Sequence, residues 1–279
     1  MNIRIYIIIS AILYFAFVTS CSIERKLAQE FIDHKDSISV FLIPPDFVFK
    51  SNLKTWMIDD LDKMNSNDQN EILLDSSRFL KFINDTTFLI RYFGNMEASL
   101  RKYGIQVFQQ DEIIDFMNTK NQAYQINLVQ IEIEEDIYPY RAEEIFYDSI
   151  LFYEDFNLDQ VIISSWFEIS KLNDTRAVNN ILFASDFVTD ELDGRFTSNI
   201  FTGEVKLKYN IYPMKTENIY TLAAQLGNLY AGYIFDYVMN QYIYLNFPDN
   251  KHPNSFLSYD LDAKALYPAE EKRFIFLEE

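Results

Sequence analysis

Hydrophobic positions change their period along this chain. After a continuous apolar block at residues 6–18, they recur with helical spacing as far as about residue 117, and from Asn127 they alternate as in strands. Residues 38–46 form a short apolar run closed by Pro44-Pro45, which predicts a buried first strand, since proline cannot continue a central one. Residues 51–70 are polar and loop-like, with Trp56 and Met57 as plugs. Ile72, Leu73, Phe79, Leu80 and Phe82 predict a helix over 70–83. Asn84-Asp85 then caps a second helix running to Tyr103, with Phe88, Leu89, Tyr92, Met96 and Leu100 on its apolar side and Gly104 to end it. Residues 105–108 read as a strand. Residues 111–117 read as one or two helical turns with Ile113, Ile114 and Met117 on one side.

The second half is strand-rich. Residues 127–134 alternate cleanly, 160–169 place Trp166 and Phe167 on opposite faces, and 181–188 form a third run. Asp193-Gly194 signals a turn. Residues 195–201 follow, and Thr202-Gly203 turns into 204–212, with Val205, Leu207, Tyr209 and Ile211 inward. Residues 218–244 predict the longest helix. Leu222, Leu226, Leu229, Tyr233 and Tyr237 form its stripe, and Ala223, Ala224, Gly227, Ala231 and Gly232 keep one side slim for a close neighbour. Residues 248–268 are rich in Pro, Asn and Ser and read as an arm, after which 273–277 add an edge strand or dock back. The order of elements predicts an α+β fold. It is a two-layer αβ sandwich whose mixed sheet is mostly antiparallel in its second half, with helices packed on one face.

The N-terminal block is different in kind. One charge, Arg4, precedes an apolar run that is too short for the ~20 residues of a spanning helix, and small residues follow it. Val18-Thr19-Ser20-Cys21 resembles the lipobox of bacterial lipoproteins. That resemblance implies cleavage between Ser20 and Cys21, a diacylglycerol on the Cys21 sulfur and acylation of the new amine. Three acyl chains suffice for stable anchoring. The chain then divides into a signal peptide (1–20), a lipidated tether or short helix (21–36), one αβ domain (37–247) and a C-terminal arm docking on it (248–279). Ser22 in place of an acidic residue favours the outer membrane. The mixed run Ser22-Ile23-Glu24-Arg25-Lys26 lacks the acidic stretch that sends Bacteroidota lipoproteins to the cell surface, so the periplasmic face is expected. The Ile-, Asn-, Tyr- and Phe-rich composition is similar to that of Bacteroidota envelope lipoproteins. In element order the chain also looks like envelope-assembly lipoproteins, the outer-membrane activators of penicillin-binding proteins and the curli-secretion lipoprotein. Residues 40–45, 101–104 and 202–205 carry that likeness.

Composition adds exclusions. The 279 residues include 24 basic and 42 acidic side chains, a net charge of −18. So acidic a body repels nucleic acid and anionic lipid heads. Cys21 is the only cysteine, so no disulfide supports the fold. Phe and Tyr number 25 and 19, and weigh toward an aromatic core.

Catalytic chemistry is scarce. His34 and His252 belong to the tether and the arm, and neither sits at the end of a core strand near a Ser or Asp that would suggest a triad. No HExxH, Cys/His cluster, phosphate-binding glycine loop or calcium loop occurs, so no metal or cofactor is expected and no catalytic residue is assigned. Carboxylates are the abundant reactive groups. Asp46, Glu132, Glu134 and Asp186 are the candidates for glycoside chemistry, which needs two of them ~5–9 Å apart. Asp36-Ser37-Ile38, Asp85-Thr86-Thr87 and Asp148-Ser149-Ile150 resemble the Asp-Ser/Thr-apolar acceptors of Bacteroidota O-glycosylation. Two function classes follow. The first is a non-enzymatic, lipid-anchored binding or assembly factor with an envelope protein partner. The alternative is an anchored carboxylate-dependent hydrolase or glycan-binding protein.

Overall fold

Strand β1 (Ile38–Ile43) lies inside the sheet because its residues serve two apolar layers. Ile38, Val40 and Leu42 face the main core, while Phe41 turns to a smaller cluster with Phe108 and Phe116. The computed structural model describes residues 22–58, 65–120, 122–172, 181–248, 252–269 and 273–277. The signal segment, Ser20 and Cys21 lie outside them.

β1 is flanked in parallel by β3 (Gln106–Phe108) and β4 (Gln122–Phe146). β4 pairs antiparallel with β5 (Ser149–Lys171), β5 with β6 (Ile181–Thr189), and β6 with β11 (Ile275–Leu277) at the edge. Where β1 ends, β2 (Phe49–Asn52) takes over the same side of β4, also parallel, with Phe49 opposite Glu132. The fold is therefore α+β, with a mixed seven-stranded sheet that turns antiparallel in its second half.

Helices α1 (Ile23–Asp33), α3 (Asp85–Lys102) and α5 (Thr216–Asn246) cover one face. α3 begins where expected. Asn84 Oδ1 accepts the Thr87 N–H at 2.9 Å, and Gly104 past the C-terminus takes φ +89°. Phe88, Tyr92, Met96 and Leu100, four residues apart, are all fully buried, and the Tyr92 hydroxyl is satisfied by Ser165 Oγ at 3.0 Å. The slim side of α5 meets α3 at Gly227. A Cβ there would lie 2.1 Å from the Tyr92 carbonyl oxygen and 3.0 Å from the Met96 nitrogen. Among the described residues no helix is long and apolar enough to cross a membrane.

The structure corrects several expectations. Of the tether or short helix expected at 21–36, residues 23–33 are the helix, and it is packed on the domain: Ala28, Phe31 and Ile32 are buried, and Phe31 meets Phe235 of α5 edge-on at 5.5 Å. The helix expected over 70–83 is α2 (Ser66–Ser76) followed by a 3₁₀ turn at Leu80–Phe82. The break comes from Ser77, whose hydroxyl donates to the Leu74 carbonyl at 2.5 Å and accepts the Lys81 N–H. Trp56 is 69% exposed and plugs nothing, and the side chain of Met57 lies outside the description. In α4 (Ile113–Met117) the buried residue is Phe116, stacked on Phe41 at 5.1 Å on the sheet's other face, while Ile113, Ile114 and Met117 are exposed. Gly194 makes no turn. It is inside β7 (Glu191–Ser198), where a Cβ would meet the Tyr209 Cβ at 2.9 Å. β8 (Val205–Tyr212) pairs with β7 alone and has Tyr209 and Ile211 exposed, so it lacks the core-facing side expected of it. The C-terminal arm contains a hairpin of β9 (Phe256–Asp260) and β10 (Ala265–Ala269). Side chains of α5 hold its backbone: Asn240 bonds both the N–H and the carbonyl of Leu257, and Asp236 Oδ1 accepts the Tyr259 N–H at 2.9 Å.

Candidate functional site

Beyond Glu135 on one edge and Asp159 on the other, the β4–β5 hairpin leaves the sheet as a two-stranded ribbon, with no third strand among the described residues hydrogen-bonded to either edge. At ~3.3 Å per residue it reaches about 35 Å. An isolated two-stranded ribbon is marginal in water. Here the β7–β8 hairpin packs across it, with Phe156 edge-on to Tyr209 at 4.8 Å and Phe152 beside Phe196 at 6.2 Å.

The base of this arm is clamped by buried charge. Glu135 is 1% exposed and Lys54 5%. The Glu135 carboxylate accepts the N–H groups of Arg78 and Phe79 at 2.8 Å and of Leu80 at 3.3 Å, and Lys54 Nζ at 3.1 Å. Lys54 also pairs with Asp159, as does Arg78. Burial works against the Asp159 charge, but these two cations prevail and hold its carboxyl below the usual range. Asp190 joins β6 to β7. Its Oδ2 accepts the Asp159 N–H at 3.3 Å and its Oδ1 the Met214 N–H at 2.7 Å, which ties entry and exit of the β7–β8 hairpin together.

The tips carry uncovered apolar side chains. β4 turns into β5 through Tyr147 and Asp148, both at positive φ (45° and 61°), the backbone of a tight two-residue hairpin turn. A tyrosine is a poor occupant of that conformation, and such strain gathers at working sites. Tyr147 is 87% exposed, and Ile145, Phe146, Ile150 and Leu151 around it are more than half exposed. On the neighbouring hairpin, Asn199 Oδ1 accepts the N–H groups of Phe201 and Thr202, and Gly203 takes φ +71°. This turn presents Ile200 and Phe201, 92% and 98% exposed. Glu143, Glu144, Asp148 and Glu154 flank the ribbon tip, whereas its one base, Arg141, is already engaged with Asp155 at 2.6 and 3.0 Å.

Of the carboxylates singled out from sequence, only Glu132 and Glu134 come together; Asp46 and Asp186 lie elsewhere. Glu132 and Glu134 share the sheet face away from the main core, where Ser51 Oγ donates to Glu132 at 2.8 Å. Burial, then Glu132 and Asp136, push the Glu134 carboxyl up. Asp186, opposite core-facing Ile163, is on the helix side of the sheet, and Asp46 is exposed after β1. His34 Nδ1 bonds the Glu30 carbonyl at 2.8 Å at the end of α1, and His252 stacks on Tyr244. Ser37, Thr86 and Ser149 are all exposed. Among the described residues no group of three His, Cys, Asp or Glu side chains could hold a metal. Sequence reading missed Lys54, Glu135, Asp159 and Asp190. Glu135 was findable, because it occupies an inward position of the β4 alternation, two residues after buried Ile133.

A concavity opens between the C-terminal end of α3, the middle of α5 and the β9–β10 hairpin, with a volume of about 980 Å³. Beneath it Asp236 is 3% exposed, 3.7 Å from Arg273 Nε. Burial pushes its carboxyl up to about 7, against the opposing pull of the Tyr259 N–H and Arg273. A carboxyl raised in the folded state stabilises fully below its unfolded value and loses that contribution as pH rises through the folded one. Stability measured by urea unfolding is therefore expected to fall between pH 5 and pH 8 by up to a few kcal/mol. Glu134 acts in the same direction, and Asp236→Asn isolates the larger part by flattening the profile. Equal pH slopes for wild type and variant would refute this assignment.

No protein-family model and no curated protein matches the chain. Among solved structures, the chain is similar to a neuraminyllactose-binding hemagglutinin homolog from Helicobacter pylori, at 13% identity. The match covers 76% of this chain and 90% of that one, with a TM-score of 0.32, too low to carry an argument about fold or function.

Proposed function

We propose that this chain is a lipid-anchored protein of a bacterial outer membrane, attached through Cys21 and facing the periplasm. It binds another envelope protein without catalysing a reaction. One observation carries the binding reading: two adjoining hairpins present Ile145, Phe146, Tyr147, Ile200 and Phe201 uncovered. Exposed apolar patches of this kind, rimmed by polar residues, mark interaction surfaces. The acidic rim of Glu143, Glu144, Asp148 and Glu154 favours a partner surface that is apolar at its centre and basic around it, and disfavours anionic lipid. The lipobox-like Val18-Thr19-Ser20-Cys21 supports the anchor.

The test separates the two halves of the reading. Cys21→Ala should release the protein from the membrane fraction or leave it unprocessed; unchanged, processed membrane association would remove the lipid anchor from the proposal. In cross-linked envelopes the native chain should yield one reproducible protein adduct. Phe146→Ser with Phe201→Ser should abolish it while changing the melting temperature little, because both side chains are in solvent. An adduct that survives this double variant, or none in the native chain, would remove the arm from the proposal.

A further inference from the structure

The cleft over α5 has the chemistry of a ligand site and is separate from the β4–β5 ribbon and the anchor. Its size is within the range of pockets that hold small molecules, ~300–1,000 Å³. Tyrosine rings form much of its wall: Tyr103, Tyr233, Tyr259 and Tyr267. Three of them are fixed by packing. Tyr103 stacks on Phe235 at 4.6 Å, Tyr259 lies 5.6 Å from Phe235, and the Arg273 guanidinium lies over Tyr233 at 5.2 Å. The fourth, Tyr267 on β10, is half exposed and free to be covered. The Tyr103 hydroxyl has room because position 232 is glycine, where a Cβ would approach it to 3.1 Å.

The charges around these rings decide the class of ligand. Arg273 is answered by Asp236 below it, and Lys102 shares the wall with Asp260 and Asp262, so the cleft does not select an anion. Polar groups dominate the lining, which does not suit a lipid tail. What remains is a close mixture of obligate acceptors (the carboxylates), obligate donors (Arg273, Lys102) and groups that do both (the tyrosine hydroxyls and Ser258) beside flat aromatic faces. A sugar ring matches that mixture. Each of its hydroxyls both donates and accepts, and its C–H face stacks on an aromatic ring. We infer that this cleft binds an uncharged oligosaccharide of a few rings, with Tyr267 as the stacking platform and Asp262 and Arg273 reading its hydroxyls.

Calorimetric titration of the full chain tests it with maltotriose, cellotriose and triacetylchitotriose as neutral probes and trigalacturonate as an anionic one. At least one neutral probe should bind with a Kd at or below about 1 mM, and more tightly than trigalacturonate. Tyr267→Ala and Asp262→Asn, both exposed positions, should each weaken it at least about tenfold with the melting temperature unchanged. Phe146→Ser in the arm should have no effect. The inference is overturned if no neutral probe binds, if trigalacturonate binds more tightly, or if the two cleft variants keep native affinity.

Discussion

Glu135→Ala is expected to destabilise the protein by about 3–5 kcal/mol, the cost of removing one partner from a buried ion pair. The carboxylate is 1% exposed and works twice. It accepts three successive N–H groups, at Arg78, Phe79 and Leu80, and so starts the 3₁₀ turn that follows the break at Ser77. It also shares Lys54 with Asp159. Alanine leaves three donors unsatisfied and a buried ammonium with one counter-charge in place of two. Glu135→Gln keeps an acceptor for the backbone and should cost less, which separates the capping part from the ionic part. Urea unfolding reads both. A loss below about 1 kcal/mol for alanine would mean that water replaces the carboxylate at no great penalty. Because Asp159 and Asp190 continue the network to the base of the arm, the alanine variant should also be cut faster by protease in the ribbon.

Two glycines of the helix layer should respond oppositely to alanine. Gly94→Ala in α3 should raise stability by up to about 1 kcal/mol, the helix-propensity difference, since a Cβ there meets nothing within 4 Å. Gly227→Ala in α5 gains the same propensity but puts its methyl 2.1 Å from the Tyr92 carbonyl oxygen. Backbone cannot turn aside as a side chain can, so α3 and α5 must separate along the seam of Phe88, Tyr92 and Met96. Overpacking of this kind costs about 1–3 kcal/mol and here belongs at the upper end. In a chain of this size each kcal/mol moves the melting temperature by about 2–4 °C. The two variants should therefore shift it in opposite directions, and a common sign would refute the seam.

What could be read beforehand was whatever local pattern alone decides. α3 announced itself through the Asn84 cap and four buried residues at helical spacing, and the slim side of α5 foretold a close neighbour. The ribbon did not announce itself, because both its faces meet solvent or the β7–β8 hairpin. With no core side, inward–outward alternation fades after Ile137, and the Tyr147-Asp148 turn lacks the glycine or asparagine that usually flags one. Pairings distant in sequence were hidden for another reason. Lys54 and Glu135 are 81 residues apart, and nothing near either states that the other will be its partner. Gly194 shows the converse error, since a dipeptide typical of turns is here the place where two strands approach closely.

The packing of α1 also bears on where this protein can act. The helix begins at Ile23, Ser22 caps it by accepting the Arg25 N–H, and Glu24 Oε1 accepts the Asn254 N–H from the C-terminal segment. With Cys21 lipidated, only Ser22 separates the anchor from folded structure. A flexible leash of fifteen residues would let the body wander by about 20 Å. Anchored as proposed, the body would have almost no leash and would ride against the bilayer in one attitude. The distance at which it can meet anything would then be set by the length of the ribbon, a caliper measured from the membrane surface.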